Sequence, residues 1–136
     1  MTYDYVIDSY AWIEYFSGSA KGKEARKYIE DEDSATPTIV IAEVSGKLMR
    51  EVIAGRETAD GRLTRLGFLK SATTIADLTE DIALRSGEID AERKQRVRRW
   101  GLADSLVLAT ARISDAKVVT GDEHFRDLKE EIVYLS

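Results

Sequence analysis

The sequence predicts an α/β domain in which a central, twisted parallel sheet of four to five strands is flanked by helices in three layers. Short apolar runs alternate with longer segments whose apolar residues recur at helical spacing, as in repeated strand–helix–strand units. The chain has 136 residues, an ordinary length for one domain, and it shows neither repeats nor low-complexity linkers. We therefore expect residues 1–136 to form a single domain.

The composition excludes several classes of site and of location. The chain has no cysteine, which rules out disulfides, zinc–thiolate sites and thiol nucleophiles and favours a reducing cytoplasm. The N-terminus does not resemble a signal peptide, and no apolar run approaches the roughly 20 residues that a membrane helix needs. A net charge of -5 argues only weakly against a nucleic-acid partner, because carboxylates gathered at one site would carry much of it. We expect a soluble, cytoplasmic protein.

Helix caps and periodicity predict the elements of the first half. The apolar run from Tyr5 to Asp8 is typical of a strand, and Ser9 can cap a helix that ends before Gly18. A longer helix should begin at Thr38, because apolar residues follow at intervals of four. The predicted elements are a strand over 5–8, helices over 9–16 and 22–32, a strand over 34–36, and helices over 38–53 and 56–70.

Similar signals predict the second half. Thr79 can begin a helix that has Glu80 and Asp81 in its first turn, where carboxylates favour the positive end of the helix dipole. The predicted elements are a strand over 73–77, a helix that begins at 79 and ends before Trp100, a helix over 103–114, and strands over 117–120 and 132–135.

Four acidic residues follow short apolar runs or fall in the first turns of predicted helices: Asp8, Glu43, Asp104 and Asp122. In open parallel sheets, ligands bind outside the carboxyl edge, where such residues would meet. Burying carboxylates is unfavourable unless something offsets it, and a hard cation such as Mg²⁺ or Mn²⁺ prefers oxygen ligands. Each acid alone could be an ordinary cap or turn residue. Together they predict a metal-dependent phosphoryl-transfer site.

Four segments, in chain order, resemble the successive motifs of PIN-domain ribonucleases, especially VapC-type toxins of toxin–antitoxin pairs. They are residues 6–9, the predicted helix that carries Glu43, residues 102–111 and residues 118–125. The last two are the more specific, and the resemblance spans nearly the whole chain. It implies a PIN-like fold, one or two Mg²⁺ or Mn²⁺ ions, and cleavage of single-stranded RNA by a water that the metal activates for in-line attack.

The resemblance also implies the roles of individual residues. The catalytic and metal-binding carboxylates would be the four acids already named, with Ser9 and Thr120 as supporting hydroxyls. A plain N-cap is the alternative for Ser9, and an ordinary β-branched strand residue is the alternative for Thr120. Many relatives carry a further acid where this chain has His124, its only histidine, so a fifth ligand there is not expected.

The segment 93–99 carries five positive charges in seven residues. It could be a solvated helix end, where cations suit the dipole, or a rim that follows the phosphates of an RNA. We favour the rim, with Arg96, Arg98 and Arg99 as the residues that bind substrate.

Partners are implied by the resemblance in the same way. The first two helices carry more aromatic and aliphatic residues than one small sheet needs, although core packing would account for about half of them. Toxins of this kind bury such a surface under an antitoxin peptide and pair as homodimers.

We therefore predict an endoribonuclease that is the toxin of a type II toxin–antitoxin system. The alternatives are a housekeeping PIN nuclease that matures ribosomal RNA and a catalytically silent PIN-like binding module.

Overall fold

The computed structural model describes residues 2–136, which form five strands, six α-helices and one 3₁₀ turn. The strands are β1 (Tyr5–Ile7), β2 (Ser34–Pro37), β3 (Thr74–Ala76), β4 (Lys117–Thr120) and β5 (Ile132–Tyr134). The helices are α1 (Ser9–Ser17), α2 (Ala20–Glu30), α3 (Thr38–Ile53), α4 (Ala59–Ala72), α5 (Glu80–Arg93) and α6 (Leu102–Ile113). The 3₁₀ turn covers Glu123–Phe125.

The strands form one parallel sheet in the order β3-β2-β1-β4-β5. β1 is central, and Val6 lies opposite Ala35 of β2 on one side and opposite Val118 of β4 on the other. The chain moves outward to β2 and β3 before it returns to the far side of β1, so the strand order reverses at β1. The carboxyl end of β1 is therefore the place where an open parallel sheet binds its ligands.

Helices cover both faces of this sheet. Successive side chains of a strand point to opposite faces, and Val6 and Ile7 of β1 are both fully buried, as are Val118 and Val119 of β4. Strands that are buried on both faces read as continuous apolar runs, which explains the pattern in the sequence. The largest fully buried side chains include Trp12, Trp100 and Phe125.

The predicted fold class is confirmed, and the differences from prediction lie at element ends. β1 stops at Ile7, and Asp8 is already the N-cap of α1. α4 begins at Ala59 rather than 56, because the Thr58 hydroxyl accepts a hydrogen bond from the Gly61 backbone N–H (2.9 Å). α5 ends at Arg93, and turns occupy most of the interval up to Trp100. Within residues 2–136, no helix is long and apolar enough to cross a membrane.

Candidate metal centre

Asp8 lies at the junction of β1 and α1, at the carboxyl edge of the sheet. Its side chain makes no capping hydrogen bond to α1, although the residue occupies the N-cap position. Instead, the Thr120 hydroxyl at the end of β4 donates to Asp8 Oδ2 (2.8 Å). Only 3% of Asp8 is exposed, so the carboxylate is held in the interior by a neighbouring strand. The alternative of a simple helix cap does not describe this residue.

The charge state of Asp8 reflects its surroundings. Burial raises the pKa of Asp8 to about 7, the hydrogen bond from Thr120 opposes this rise, and the charges of Glu43 and Asp104 add to it. Burial also raises the pKa of Glu43, against a lowering by the Ser9 hydroxyl, and Asp104 and Asp122 raise it further. Each of these two carboxylates therefore feels others of the predicted quartet. The four acids share one electrostatic site.

The other two acids come from α6 and from the loop after β4. Asp104 lies in the first turn of α6, and its Oδ2 accepts a hydrogen bond from the Gly101 backbone N–H (3.1 Å). Asp122 Oδ1 accepts from the His124 backbone N–H (2.9 Å) and caps the 3₁₀ turn. Both residues thus act as caps, yet both also bring carboxylate oxygens to the same point. The capping and site roles coexist.

His124 is the residue whose part in this site the sequence reasoning missed. Its Nδ1 lies 3.1 Å from Asp104 Oδ2 and 3.7 Å from Asp122 Oδ1. Among the described residues, these three side chains form the group that could hold a metal ion, with one candidate ligand atom from each lying within 4.8 Å of the others. The sequence signal was the spacing Asp122-x-His124, but the contact with Asp104 spans 20 residues and requires the fold.

Arg93, the first cation of the basic segment, is a structural residue. Only 2% of it is exposed, and its guanidinium donates to both carboxylate oxygens of Asp127 (2.8 and 2.7 Å) and to the His124 carbonyl (3.0 Å). It also lies 4.5 Å from the centre of the Trp100 ring. Arg93 therefore fixes the loop that carries His124.

The three arginines predicted to bind substrate are exposed, as a rim would require. Arg96 forms an ion pair with Glu92 in the last turn of α5 (3.0 Å). Arg99 has a left-handed backbone (φ 68°) two residues before Gly101, the N-cap of α6. The segment thus leads directly into the helix that carries Asp104.

Two cavities meet at the acidic centre, and cations line both. One, of about 330 Å³, includes Glu43, Lys47 and Arg50 of α3, and the other, of about 390 Å³, includes Lys21 and Arg126. Tyr10 and Asp122 line both cavities. Sequence reasoning missed Lys47 and Arg50, although they follow Glu43 by four and seven positions and so lie on the same face of α3.

Gly121 shapes the boundary between the two cavities. A Cβ at this position would lie 2.5 Å from Cε1 of Tyr10, a distance that real side chains do not tolerate. The glycine therefore lets the Tyr10 ring lie against the loop after β4. Lys21 Nζ donates to the Tyr10 hydroxyl (3.0 Å), which fixes the ring from the other side.

The donor set fits a divalent cation. Asp8, Glu43, Asp104 and Asp122 offer carboxylate oxygens, the ligands that Mg²⁺ and Mn²⁺ prefer. The raised pKa values of Asp8 and Glu43 mean that the ionised forms are poorly stabilised by the protein alone. A bound cation would supply the missing positive charge.

A separate apolar groove lies between α1, α2 and α4. It encloses a cavity of about 700 Å³ that is lined by Tyr15 and Phe68 among others. The rings of these two residues stack on each other, with their centres 5.8 Å apart and an angle of 8° between their planes. Phe16 lines the groove as well, whereas Trp12 and Ile29 are fully buried in the core. The predicted aromatic surface is thus partly core and partly groove.

The sequence profile of the PIN domain matches residues 5–131 of this chain. The chain belongs to the PIN domain family. The matched residues span β1 through the segment before β5 and include all four acids. No curated protein sequence matches the chain.

Solved structures with a similar fold include toxin–antitoxin complexes and a toxin alone. A toxin–antitoxin complex from Klebsiella pneumoniae has a TM-score of 0.74 at 23% identity, and the alignment covers 98% of both chains. VapBC2 from Rickettsia felis, bound to a promoter DNA fragment, has a TM-score of 0.75 at 16% identity, covering 97% of this chain and 98% of that one. VapC20 from Mycobacterium tuberculosis, a toxin that cleaves the sarcin–ricin loop, has a TM-score of 0.72 at 16% identity, covering 92% and 95%.

Proposed function

We propose that this PIN domain is a metal-dependent endoribonuclease that cleaves single-stranded RNA and acts as the toxin of a type II toxin–antitoxin system. The observation that carries the proposal is the convergence of carboxylates from the β1–α1 junction, α3, α6 and the loop after β4 on one electrostatic site. Carboxylates that raise one another's pKa repel one another in the metal-free protein, and such clusters are typical of functional sites.

The four acids, Asp8, Glu43, Asp104 and Asp122, would hold Mg²⁺ or Mn²⁺. When bound, such an ion would polarise the scissile phosphate and activate a water for in-line attack. Thr120 would keep Asp8 Oδ2 in place through its hydrogen bond, and Ser9 would do the same for Glu43. The residues would thus present a prearranged set of oxygens at the switch point of the sheet.

An RNA substrate is supported by the cations beside the acids. Lys47 and Arg50 line the cavity on one side of Asp122, and Lys21 and Arg126 line the cavity on the other. A strand that crosses the centre would meet positive charge before and after the scissile phosphate, in a protein whose net charge is negative. We also propose that Arg96, Arg98 and Arg99 form a rim that contacts the RNA backbone beyond these two cavities.

The partner would be an antitoxin that fills the apolar groove. The similar structures from Klebsiella and Rickettsia contain toxins with their antitoxins. The groove here combines aromatic rings with Lys23, Arg26 and Arg65, of which Arg26 pairs with Glu30 and Arg65 with Glu57. A peptide that offers apolar side chains, and an acidic one to Lys23, would suit it.

A homodimer forms part of the proposal, and it would need an apolar contact surface. Exposed leucines on or just before α5 and α6 would contribute to it: Leu78, Leu84 and Leu102.

The test is cleavage of single-stranded RNA by the purified chain after its metals have been removed with EDTA. We expect no cleavage in EDTA, and recovery with Mg²⁺ or Mn²⁺ but only poorly with Ca²⁺, which prefers longer and looser coordination. Undiminished cleavage in excess EDTA would exclude the metal-dependent mechanism.

A further inference from the structure

We propose that His124 is a nitrogen ligand of the metal in this centre and that it shifts the preference of the site from Mg²⁺ toward Mn²⁺. This inference rests on the proposed metal site and adds a fifth protein ligand to the four carboxylates. It differs from the expectation drawn from the sequence, in which His124 had no metal role.

The first support is the position of the imidazole. His124 Nδ1 lies 3.1 Å from Asp104 Oδ2 and 3.7 Å from Asp122 Oδ1. Ligand bonds of roughly 2.1 Å at right angles place neighbouring ligand atoms about 3 Å apart in an octahedral site. The imidazole nitrogen therefore already lies at separations from both carboxylates that are close to those of adjacent ligands around one small cation.

The second support is the rigidity of the loop that presents the ring. The His124 backbone N–H donates to Asp122 Oδ1 (2.9 Å), and the His124 carbonyl accepts from the buried guanidinium of Arg93 (3.0 Å). The next residue, Phe125, is fully buried and packs 5.0 Å from the Trp100 ring. Both backbone groups of His124 and its neighbour are thus fixed, so the fold sets the point from which the imidazole reaches Asp104.

The third support is ligand chemistry. Mg²⁺ is a hard cation that takes oxygen ligands and keeps several waters, whereas imidazole suits transition metals. Replacing one oxygen of the site by a neutral imidazole nitrogen should therefore favour Mn²⁺ more than Mg²⁺. A carboxylate at this position would not discriminate in this way.

The competing role for His124 is to orient Asp104 without touching the ion. In that case Nδ1 would carry a proton and donate it to Asp104 Oδ2, and its lone pair would not be available to a metal. The two roles are mutually exclusive at the same nitrogen, so a measurement that detects a metal–nitrogen bond separates them.

The experiment is pulsed electron paramagnetic resonance of Mn²⁺ bound to the untagged, full-length chain. The chain has a single histidine, so a strong coupling from a directly bound imidazole nitrogen can arise only from His124. We expect this nitrogen coupling in the natural protein and its loss in His124→Gln. The exposed neighbour supplies the control, because Glu123→Gln should keep the coupling.

Calorimetric titration of the same three proteins with Mn²⁺ and with Mg²⁺ measures the selectivity. His124→Gln should weaken Mn²⁺ binding by about tenfold or more and Mg²⁺ binding by much less, since an imidazole nitrogen contributes little to the binding of Mg²⁺. Circular dichroism would confirm that the variant is folded.

The outcomes distinguish this inference from the proposed function. Tight Mn²⁺ binding without nitrogen coupling would overturn the role of His124 as a ligand and leave the carboxylate site intact. An equal loss of Mn²⁺ and Mg²⁺ affinity in His124→Gln would overturn the claim of selectivity. Absence of metal binding by the natural protein would overturn both the inference and the proposed metal site.

Discussion

The candidate metal centre and the apolar groove share one short helix, but the first is dominated by charge and the second by exposed apolar surface. Ser9 and Tyr10, at the start of α1, face the acids, whereas Tyr15 and Phe16, near its end, line the groove. The centre gathers like charges, one of them on an almost fully buried carboxylate. The groove instead leaves aromatic rings partly open to solvent. Each region is incomplete alone, and each lacks a different thing: positive charge in the first and apolar cover in the second.

This difference implies that the two regions can be damaged separately. A change at an acid should alter catalysis and leave antitoxin binding intact, while a change in the groove should do the reverse. The variants below test that separation.

The largest effect is expected at Asp104. Asp104→Asn keeps the shape of the side chain and an oxygen that can accept the Gly101 hydrogen bond, but it removes a negative charge and a strong metal ligand. RNA cleavage should fall by at least about 10²-fold, a usual loss for one preorganised electrostatic contact. Thermal stability in EDTA should hold or increase, because repulsion among the carboxylates decreases.

A matched control for this variant is Asp115→Asn, at an exposed position with a left-handed backbone (φ 52°) that asparagine tolerates. It should keep full activity. Natural cleavage rates in Asp104→Asn would show that the acidic centre is not the catalytic site.

The next effect is expected in the groove. Phe68 is 37% exposed and stacks on Tyr15, so Phe68→Ala should remove one wall of the proposed antitoxin site. Affinity for the proposed antitoxin should fall by about 30-fold, as for a typical aromatic hot spot, with RNA cleavage unchanged. Binding can be measured by calorimetry.

Ile53→Ala is the control for the groove, since Ile53 is 77% exposed at the end of α3 and does not line this cavity. Equal losses of affinity in the two variants would remove the groove from the interface.

A smaller effect is expected from the basic rim. Changing Arg96, Arg98 and Arg99 together to Ala should weaken binding of every RNA sequence by about tenfold and flatten the dependence of affinity on salt. Lys47→Ala combined with Arg50→Ala should have the same effect if the RNA backbone passes through the cavity beside Glu43. Both sets can be compared in the Asp104→Asn background, where RNA cleavage should be slow enough for binding to be measured. If the salt dependence of affinity changes only in the Lys47 and Arg50 variant, the RNA contacts the cavity beside Glu43 and not the basic rim.

The smallest effect is a change in the pH dependence of stability without metal. The pKa of Asp8 rises from 3.8 to about 7 on folding, so the folded chain binds more protons than the unfolded chain between these values. The contribution of Asp8 to stability is therefore fully present below about pH 4 and declines as pH rises to 7. Asp8→Asn should remove this decline, as measured by thermal melting in EDTA across that range. Parallel pH profiles for the two proteins would contradict the buried, poorly ionised state of Asp8.

Local sequence signals were enough to propose the four acids as one site, because their positions relative to strands and helices can be read from the sequence. Asp8 comes directly after the apolar run of β1, and Asp122 follows β4, so strand ends alone place them at one edge. Lys47 and Arg50 could have been found in the same way, from their helical spacing to Glu43.

Other parts of the site depend on contacts between distant residues. The sequence placed Arg93 in a basic segment interpreted as a rim for RNA, whereas its burial follows from its pairing with Asp127, 34 residues away. The approach of His124 to Asp104 likewise requires α6 and the loop after β4 to meet. Helical or strand periodicity reports only on residues within one element, so it cannot predict such pairs.

The most direct test of the central claim is the chemistry of the cleaved RNA ends, measured by mass spectrometry after reaction in ¹⁸O-labelled water with Mn²⁺. If a water activated at the acidic centre attacks the phosphate in line, its oxygen joins the phosphorus and the 3′-oxygen leaves. The upstream fragment should then end in a 3′-hydroxyl, and the downstream fragment should begin with a 5′-phosphate that carries ¹⁸O. A 2′,3′-cyclic phosphate on the upstream fragment would instead show attack by the RNA's own 2′-hydroxyl, and it would contradict hydrolysis at this centre.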